Sequence, residues 1–357
     1  MAEFHKLKIA DLYKETDDTS VIEFEIPPAL REEFKFRQGQ HLTLKADING
    51  EDVRRSYSLC SSPIENKLKV AVKLIPGGKF STFVNEELEA GDTIEVMTPS
   101  GTFGVEVSSE KSKNYLFFAA GSGITPVLSM IKSHLAQEPN STCKLFYVNK
   151  TAKSIIFKEE LEQLRNRYFG RLEIYYFLTK ERRDIDLFNG RFDDEKMKLL
   201  TNTFIDIPDT SEVFLCGPEQ MVEYVSNYLV EAGLPKELVH FELFVKGLSD
   251  EDIKRAERLA QQNVEGTEVT IVDGGKEFAF TMTKDFDNIL DAALNAGADL
   301  PFACKGGVCS TCKCEVKEGS VEMKINYALD EKEVGQNLVL SCQAVPTTDK
   351  VVVDFDV

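Results

Sequence analysis

The sequence predicts a multidomain chain: an antiparallel β-barrel, then an α/β domain with a parallel sheet, then a smaller α+β domain. Three observations carry this expectation. At 357 residues the chain exceeds what one hydrophobic core ordinarily supports. The rhythm of its apolar residues changes twice along its length. Five of its eight cysteines crowd between Cys304 and Cys342. Hydrophobic residues make up 42% and charged residues 29%, proportions that exclude wholesale disorder.

Residues 1–107 carry short alternating runs at Val21–Ile26, His41–Leu44, Leu68–Ile75 and Thr93–Met97. Turn signals separate them at Pro27-Pro28, Asn49-Gly50, Gly77-Gly78 and Pro99. Period two with frequent turns predicts an antiparallel barrel. In 108–246, strand-like runs (Tyr115–Ala120, Lys144–Val148, Leu172–Leu178, Glu212–Cys216) alternate with helix-like stretches such as Pro126–Gln137 and Pro218–Ala232. That alternation predicts a parallel sheet with crossover helices. Residues 247–266 are poor in apolar side chains and read as an exposed helical linker. In 267–357, two runs flank Asp273-Gly274-Gly275, a hairpin signal, and a helix is expected over Asn288–Ala296.

Net charge is −18, and residues 265–357 hold 17 Asp and Glu against 8 Lys, a net of −9. Such a polyanion repels phosphate backbones and anionic lipid, so no nucleic-acid and no membrane partner is expected. A basic protein partner suits it better. The first twenty residues show no apolar core of a secretory signal, and no uninterrupted apolar run reaches eighteen residues. A cytoplasmic location is the expectation. Cysteines clustered in such a chain point to a metal site rather than to disulfides.

Cys304, Cys309 and Cys312, with Cys342 thirty residues on, give the C-x4-C-x2-C…C spacing of a plant-type [2Fe–2S] centre. One tight loop supplies three thiolates and a separate segment the fourth. Gly306 and Gly307 let backbone N–H groups approach the sulfurs, while Phe302 and Val308 shield the metal from water. A structural zinc site is the competing reading, but zinc modules favour two similar short-spaced pairs. Cys314, which makes C-x-C with Cys312, reads as a spectator, an alternative ligand being the competing reading. The four histidines are scattered without ligand spacing, and no Glu-x-x-His pair of a di-iron carboxylate centre is evident.

Two further segments carry cofactor chemistry. Arg54-Arg55-Ser56-Tyr57-Ser58-Leu59 offers cations for a diphosphate, an aromatic for a ring and a hydroxyl for a ring nitrogen; surface residues on a strand edge are the competing reading. Pro76-Gly77-Gly78-Lys79-Phe80-Ser81-Thr82 frees the backbone at two glycines and then starts a helix whose amides suit phosphate, unless it is a bare hairpin turn. Gly121-Ser122-Gly123-Ile124-Thr125-Pro126 follows a strand and opens a helix, the expected place of a nucleotide pyrophosphate. Cys216-Gly217-Pro218 repeats that strand-end pattern, and Cys216 is suited either to core packing or to contact with a nicotinamide ring.

In this order, R-x-Y-S, the double-glycine loop, G-S-G-I-T-P and C-G-P resemble the ferredoxin–NADP reductase superfamily, here fused to a segment similar to plant-type ferredoxin. PFACKGGVCSTCKCEV (301–316), VEMKINYALD (321–330) and LSCQAVPTTDKVVVDFD (340–356) resemble, within it, the reductase subunits of phenylacetyl-CoA epoxidase complexes. The resemblance implies an FAD-binding barrel, an NAD(P)-binding domain and a β-grasp ferredoxin domain. It implies that Arg55, Tyr57 and Ser58 hold the flavin, with Ser58 near N5, and that Gly78, Ser81 and Thr82 bind the FAD diphosphate. Gly121, Gly123, Thr125 and Pro126, with Cys216, Gly217 and Pro218, would place the nicotinamide nucleotide; Glu242 and Phe244 would lie over the flavin. Ser58, Cys216 and Glu242 are thus the candidate catalytic residues.

The implied activity is an oxidoreductase passing electrons from NADPH through FAD and the [2Fe–2S] cluster to the oxygenase component of a multisubunit complex, a di-iron epoxidase in phenylacetate catabolism. Another ring-hydroxylating or alkane oxygenase would be served by almost the same sequence, and a redox-sensing interaction protein is the alternative of a different class. NADPH is favoured over NADH because Asn149 and Lys150, with no acid, follow the second strand of the nucleotide domain. Lys180, Arg182 and Arg183 stand nearby to meet a 2′-phosphate.

Overall fold

The computed structural model describes residues 4–244, 254–255, 258–259 and 266–357. Most of the expected linker at 247–266 therefore lies outside the described residues. The chain forms two compact units, one of His5–Val53 with Tyr57–Phe244, the other including Arg54–Ser56 and residues 266–357.

The first unit begins with six antiparallel strands: β1 (Phe4–Thr16), β2 (Thr19–Glu25), β3 (His41–Ile48), β4 (Glu51–Ser58), β5 (Leu68–Lys73) and β6 (Thr93–Met97). Their order is β4-β3-β6-β1-β2-β5. The two edges meet just past β4, where Leu59 bridges to Val70 and the Cys60 N–H donates to the Lys69 carbonyl at 2.9 Å, so the sheet closes on itself. Alternating side chains, among them Leu7, Ile9, Ile22, Leu42, Leu44, Val70 and Val96, fill the interior. At the β3–β4 turn Asn49 and Gly50 both take positive φ (57° and 80°), the geometry a two-residue hairpin needs. Helix α1 (Lys79–Glu86) plugs one side of the barrel with Phe80 and Val84.

The same unit continues into a five-stranded sheet of β7 (Asn114–Ala120), β8 (Thr142–Asn149), β9 (Leu172–Leu178), β10 (Glu212–Cys216) and β11 (Val239–Glu242). The order is β11-β10-β7-β8-β9, with every neighbour parallel. The chain runs outward from β7 to β9 and then returns to the far side of β7. This leaves a topological switch between β7 and β10, where α/β sheets hold ligands at the carboxyl ends of the strands. Crossovers include α2 (Ile124–Gln137), α3 (Lys158–Arg167), α4 (Asp194–Thr203) and α5 (Glu219–Glu231).

Helix α2 is buried on all sides from Ile124 to Leu135. Val127, Leu128 and Ile131 belong to the core shared with the sheet, and Ser129, Lys132 and Ser133 face the barrel. The Ser129 hydroxyl donates to the Ser61 carbonyl (2.6 Å), the Ser133 and Ser62 hydroxyls meet at 2.8 Å, and Lys132 Nζ donates to the Cys60 carbonyl at 3.3 Å. Each of these buried polar groups thus finds a partner, which is what makes its burial tolerable.

Beyond the C-terminus of α2, the fully buried Glu138 accepts hydrogen bonds from Tyr115 Oη (2.9 Å) and Ser141 Oγ (2.8 Å), with His134 Nδ1 at 3.2 Å. Burial opposes ionisation, but the close approach of His134 and the bonds from Ser141 and Tyr115 outweigh it and hold the carboxyl down at about 2. A depressed native pKa contributes stability that is present above the unfolded value, near 4.5, and is lost as pH falls from there toward 2. Glu138→Ala is expected to cost about 3 kcal/mol at neutral pH by stranding buried donors. The thermal midpoint of Glu138→Gln should approach that of the wild type as pH drops below about 4; a constant gap between the two would contradict this account.

The second unit contains β12 (Thr267–Asp273), β13 (Lys276–Met282), α6 (Ile289–Asn295), β14 (Lys313–Glu318), β15 (Val321–Met323), α7 (Glu331–Gly335), β16 (Leu338–Leu340), β17 (Ala344–Pro346) and β18 (Lys350–Asp354). The main sheet runs β13-β12-β18-β14-β16, with β12 and β18 parallel and the other pairs antiparallel. Gly274 and Gly275, at φ 59° and 70°, close the β12–β13 hairpin. Asn288 caps α6 by accepting from the Asp291 N–H, and Ile289, Leu290 and Ala293 join Val269, Ile271, Val351 and Val353 in the core of this β-grasp.

Candidate redox centres

The loop carrying Cys304, Cys309 and Cys312 bends sharply because Lys305, Gly307 and Ser310 all take positive φ (50°, 73° and 52°). At Gly307 a side chain would also press on the Ile325 carbonyl and on Gln343 Cγ, each 3.2 Å from an ideal Cβ. Gly306 has no such crowding; its N–H donates to Cys304 Sγ at 3.3 Å. The Ser341 N–H and Oγ both reach the Cys312 carbonyl at 3.0 Å and so fasten the segment bearing Cys342 to the loop.

The four thiols act on one another in two couples, Cys304 with Cys309 and Cys312 with Cys342, each couple shifting its members' ionisation. Among the described residues no three His, Cys, Asp or Glu side chains gather around one ion position. The bond with Cys309, aided by the N–H groups of Gly306 and Val308, holds Cys304 down at about 6. Cys342 is likewise lowered by its bond with Cys312. Cys309, Cys312 and Cys342 are buried, and Cys304 is half-buried. Two couples of sulfurs, backed by backbone donors and largely out of water, fit a binuclear iron–sulfur cluster with two protein thiolates at each iron. Cys314 lies in β14 opposite Val339, and burial pushes its thiol far up, as in a core residue. Gln343 was not marked by the sequence pattern. It is buried, donates to the Lys305 carbonyl at 2.9 Å and comes within 3.7 Å of Cys342 Sγ.

The candidate flavin residues occupy the end of β4 and the loop before α1. Pleating places Arg55 and Tyr57 on one face of β4 and Ser58 on the other. Tyr57 lies beside Phe80 of α1, ring centroids 5.8 Å apart, which brings R-x-Y-S next to the double-glycine loop. Arg55 is exposed and its Nη1 donates to the neighbouring Arg54 carbonyl. Helix α1 starts at Lys79 after Gly78, and the Ser81 hydroxyl is turned inward. It accepts from the Ile75 N–H (3.1 Å) and donates to the Gly78 carbonyl (3.2 Å). Ser81 therefore shapes the loop with its side chain and has its backbone N–H to offer a phosphate. A Cβ at Gly78 would come within 2.6 Å of Ser81 Oγ and 3.1 Å of the Ile75 carbonyl oxygen, so a side chain there would disturb the Ser81 bonds that shape the loop. Thr82 is half-buried, and its N–H bonds back to the Gly78 carbonyl.

Across 184 residues of sequence, Ser58 Oγ donates to Glu242 Oε2 at 3.0 Å. Glu242 is the register partner of Cys216 on the neighbouring strand, so Ser58, Cys216 and Glu242 converge. Burial, reinforced by the Glu242 charge, pushes the Cys216 thiol well above its ordinary value and keeps it neutral. Phe244, two residues past Glu242, is partly exposed.

Gly121–Gly123 form a single turn leading into α2, with Pro126 in the first turn of the helix, where no N–H partner is needed. The Thr125 hydroxyl donates to the Ser122 carbonyl at 3.1 Å. Gly123 backs directly onto the Cys216–Gly217 peptide: a Cβ there would sit 2.1 Å from the Cys216 carbonyl oxygen. The loops after β7 and β10, Pro218 included, therefore meet at the switch point.

A two-layer cofactor arrangement of this kind, closed barrel plus parallel sheet, followed by a four-cysteine β-grasp, defines a flavin- and iron–sulfur-dependent oxidoreductase. Family models agree, matching an oxidoreductase FAD-binding domain over residues 6–104, an oxidoreductase NAD-binding domain over 117–227 and a 2Fe-2S iron-sulfur cluster binding domain over 271–347. The chain is 43% identical to a subunit of the 1,2-phenylacetyl-CoA epoxidase of Escherichia coli, over 100% of this chain and 99% of that one. It is 32% identical to the ferredoxin reductase component of 3-ketosteroid-9-alpha-monooxygenase of Rhodococcus rhodochrous, over 98% and 96%. The chain belongs to this family of ferredoxin-reductase components with FAD-binding, NAD-binding and 2Fe-2S domains in one polypeptide. Its fold is that of phthalate dioxygenase reductase (TM-score 0.59, 23% identity, 99% of this chain and 98% of that one). It also matches an intact type IV self-sufficient cytochrome P450 monooxygenase (TM-score 0.70, 23% identity, 98% of this chain), of which it spans 41%. Among the described residues no helix is long and apolar enough to cross a membrane.

Proposed function

We propose that the chain is the reductase component of a multicomponent oxygenase, drawing electrons from NADPH and delivering them to a di-iron epoxidase that acts on phenylacetyl-CoA. The observation that carries this reading is the full-length 43% identity to the E. coli epoxidase component. A bound FAD would supply the exchange between two-electron and one-electron chemistry, and a bound [2Fe–2S] cluster the one-electron relay. The residues of the chain position and insulate. Arg55, Tyr57 and the amides of Gly78–Thr82 hold the flavin and its diphosphate, and the loops Gly121–Pro126 and Cys216–Pro218 hold the nucleotide. Ser58, whose hydroxyl proton is held by Glu242, would leave its oxygen lone pairs to the flavin edge near N5. The neutral Cys216 would offer a small polarizable surface to the nicotinamide, and Phe244 would cover the flavin ring. Cys304, Cys309, Cys312 and Cys342 hold the cluster.

The net charge of −9 in residues 265–357 favours a basic docking face on the oxygenase, so acceptor reduction should slow as ionic strength rises. A cytoplasmic site of action agrees with the free cysteines. The test is reconstitution: purified oxygenase component, this chain, NADPH and phenylacetyl-CoA should yield epoxide, and omission of the chain should abolish it. NADPH oxidation without product would move the proposal to another acceptor.

The nucleotide preference rests on the loop after β9. Lys180 and Arg182 are exposed there, Arg182 in an exposed ion pair with Asp186 at 3.6 Å, while Arg183 Nη1 donates to the Tyr176 carbonyl at 2.9 Å. We expect Arg182→Glu to raise the KM for NADPH about tenfold or more, the worth of one charge-assisted contact, and to leave the KM for NADH nearly unchanged. Equal changes for both nucleotides would place Arg182 outside the 2′-phosphate site.

A further inference from the structure

We propose that Tyr147 is a positioning residue for the nucleotide pyrophosphate: its hydroxyl fixes the Gly121–Ser122 peptide so that the Ser122 N–H faces the mouth between β7 and β10. The inference rests on the reading of Gly121–Pro126 as the nucleotide loop. Tyr147 lies on β8, the strand next to β7, and is fully buried. Its Oη stands 2.9 Å from the Gly121 carbonyl oxygen and 3.4 Å from that of Ile156. A phenol has one proton, so the shorter contact, to Gly121, is the stronger hydrogen bond. Burial raises the pKa of Tyr147 far above its ordinary value, so the group stays a donor at every working pH.

The consequence follows from peptide geometry. In a trans peptide the carbonyl of one residue and the N–H of the next point in opposite directions. The Gly121 carbonyl also accepts from the Ile124 N–H and is thereby drawn along α2 as well as toward Tyr147. With that oxygen held inward from two sides, the Ser122 N–H is directed outward at the head of α2, where the helix dipole favours an anion. Gly121 itself takes φ 53° with nothing within 4 Å of an ideal Cβ; the glycine serves the backbone turn rather than relieving a clash. The far end of the turn is immobilised by Gly123 against the Cys216 carbonyl. Tyr147 thus supplies a side-chain anchor at the near end of the turn, where the pyrophosphate would bind. On its other side Ile156 precedes Phe157, whose N–H is bound by Glu15 Oε1 at 2.9 Å, so the anchor is itself braced.

The test is Tyr147→Phe in the full-length holoprotein, which keeps the ring and removes only the hydroxyl. Dissociation constants for NADP+ and for adenosine 2′-monophosphate, which lacks the pyrophosphate, are compared by calorimetry. We expect the NADP+ constant to rise about five- to tenfold, the loss of one hydrogen bond's worth of orientation. The constant for adenosine 2′-monophosphate, the FAD absorbance, the cluster EPR signal and the flavin reduction rate at saturating NADPH should stay within about twofold. An unchanged NADP+ affinity, with or without a lower thermal midpoint, would overturn the proposal. So would an equal loss for both ligands, which indicates general deformation. Wild-type protein that binds neither NADP+ nor NAD+ would instead overturn the nucleotide-loop reading itself, and the proposal with it.

Discussion

Replacing Cys342 by serine is expected to give a protein that is still yellow, still bleached by NADPH, and without a reduced-cluster EPR signal. Cys342 is the sole thiol of its segment in the couple with Cys312, and it is held there by Ser341, whose N–H and hydroxyl grip the Cys312 carbonyl. Its loss leaves one sulfur where two are needed. Since even groups that only orient a ligand are worth 10- to 100-fold in metal affinity, removal of a ligand should cost more than about a hundredfold. Iron and sulfide content should fall accordingly. Reduction of ferricyanide, which takes electrons from the flavin, should persist, whereas reduction of cytochrome c through the cluster should drop by a similar factor. Cys314→Ser supplies the contrast: a core residue on β14, it should lose some stability and keep the cluster. A Cys314→Ser protein without cluster beside a Cys342→Ser protein that retains it would reverse the ligand assignment.

Gly123→Ala should be the most damaging single methyl in the nucleotide domain. The added carbon would lie 2.1 Å from the Cys216 carbonyl oxygen and 2.5 Å from its carbon. Both are backbone atoms of a central strand, so no rotamer change relieves the overlap, and the loops after β7 and β10 must part. A displacement of about 1 Å at a reacting centre can cost on the order of 10²-fold, and the rate of flavin reduction by NADPH should fall by at least that much. FAD and cluster contents should hold, because neither loop is among the residues proposed to bind them. Gly217→Ala makes the comparison sharper. Its nearest obstacle is Met221 Cε at 2.8 Å, the end of a flexible side chain, followed by Ala120 Cβ at 3.0 Å. Its loss should be clearly smaller. Stopped-flow reduction of the two variants ranks them, and equal rates would show that the contact between the loops does not govern hydride transfer.

Much of this architecture was legible where physics acts locally. The Asn49-Gly50 and Asp273-Gly274-Gly275 turns need positive φ, and those residue types supply it. The cysteine spacing is a chain-geometry statement in itself. The strand Glu212–Cys216 was marked by the unbroken apolar run that follows Glu212, the pattern of a strand covered on both faces. The long first strand was not: β1 changes register between Ile9 and Asp11 and again between Lys14 and Thr16, and each bulge interrupts the period of two by which a strand is recognised. Convergence across the fold was also invisible to spacing. Ser58 and Glu242 meet only because β4 and β11 end at the same place, and the resemblance to known reductases, rather than any local pattern, drew attention to Glu242. Tyr147 and Gln343 went unmarked for a related reason. Each acts on a backbone carbonyl of a distant loop, and a tyrosine inside an apolar strand or a glutamine after a cysteine carries no sign of which carbonyl it will meet.

Helix α2 sets a rule for anyone recombining such reductases. A helix with no face left for water is shared property: its apolar side chains serve the parallel sheet, and Ser129, Ser133 and Lys132 serve the barrel. An exchange that cuts between barrel and sheet would leave two serines and a lysine facing a surface not made for them. The hereditary unit in this half of the molecule is therefore the pair, and chimeras should inherit His5 to Phe244 as one block, with nucleotide preference altered inside it by single residues rather than by transplanting the domain.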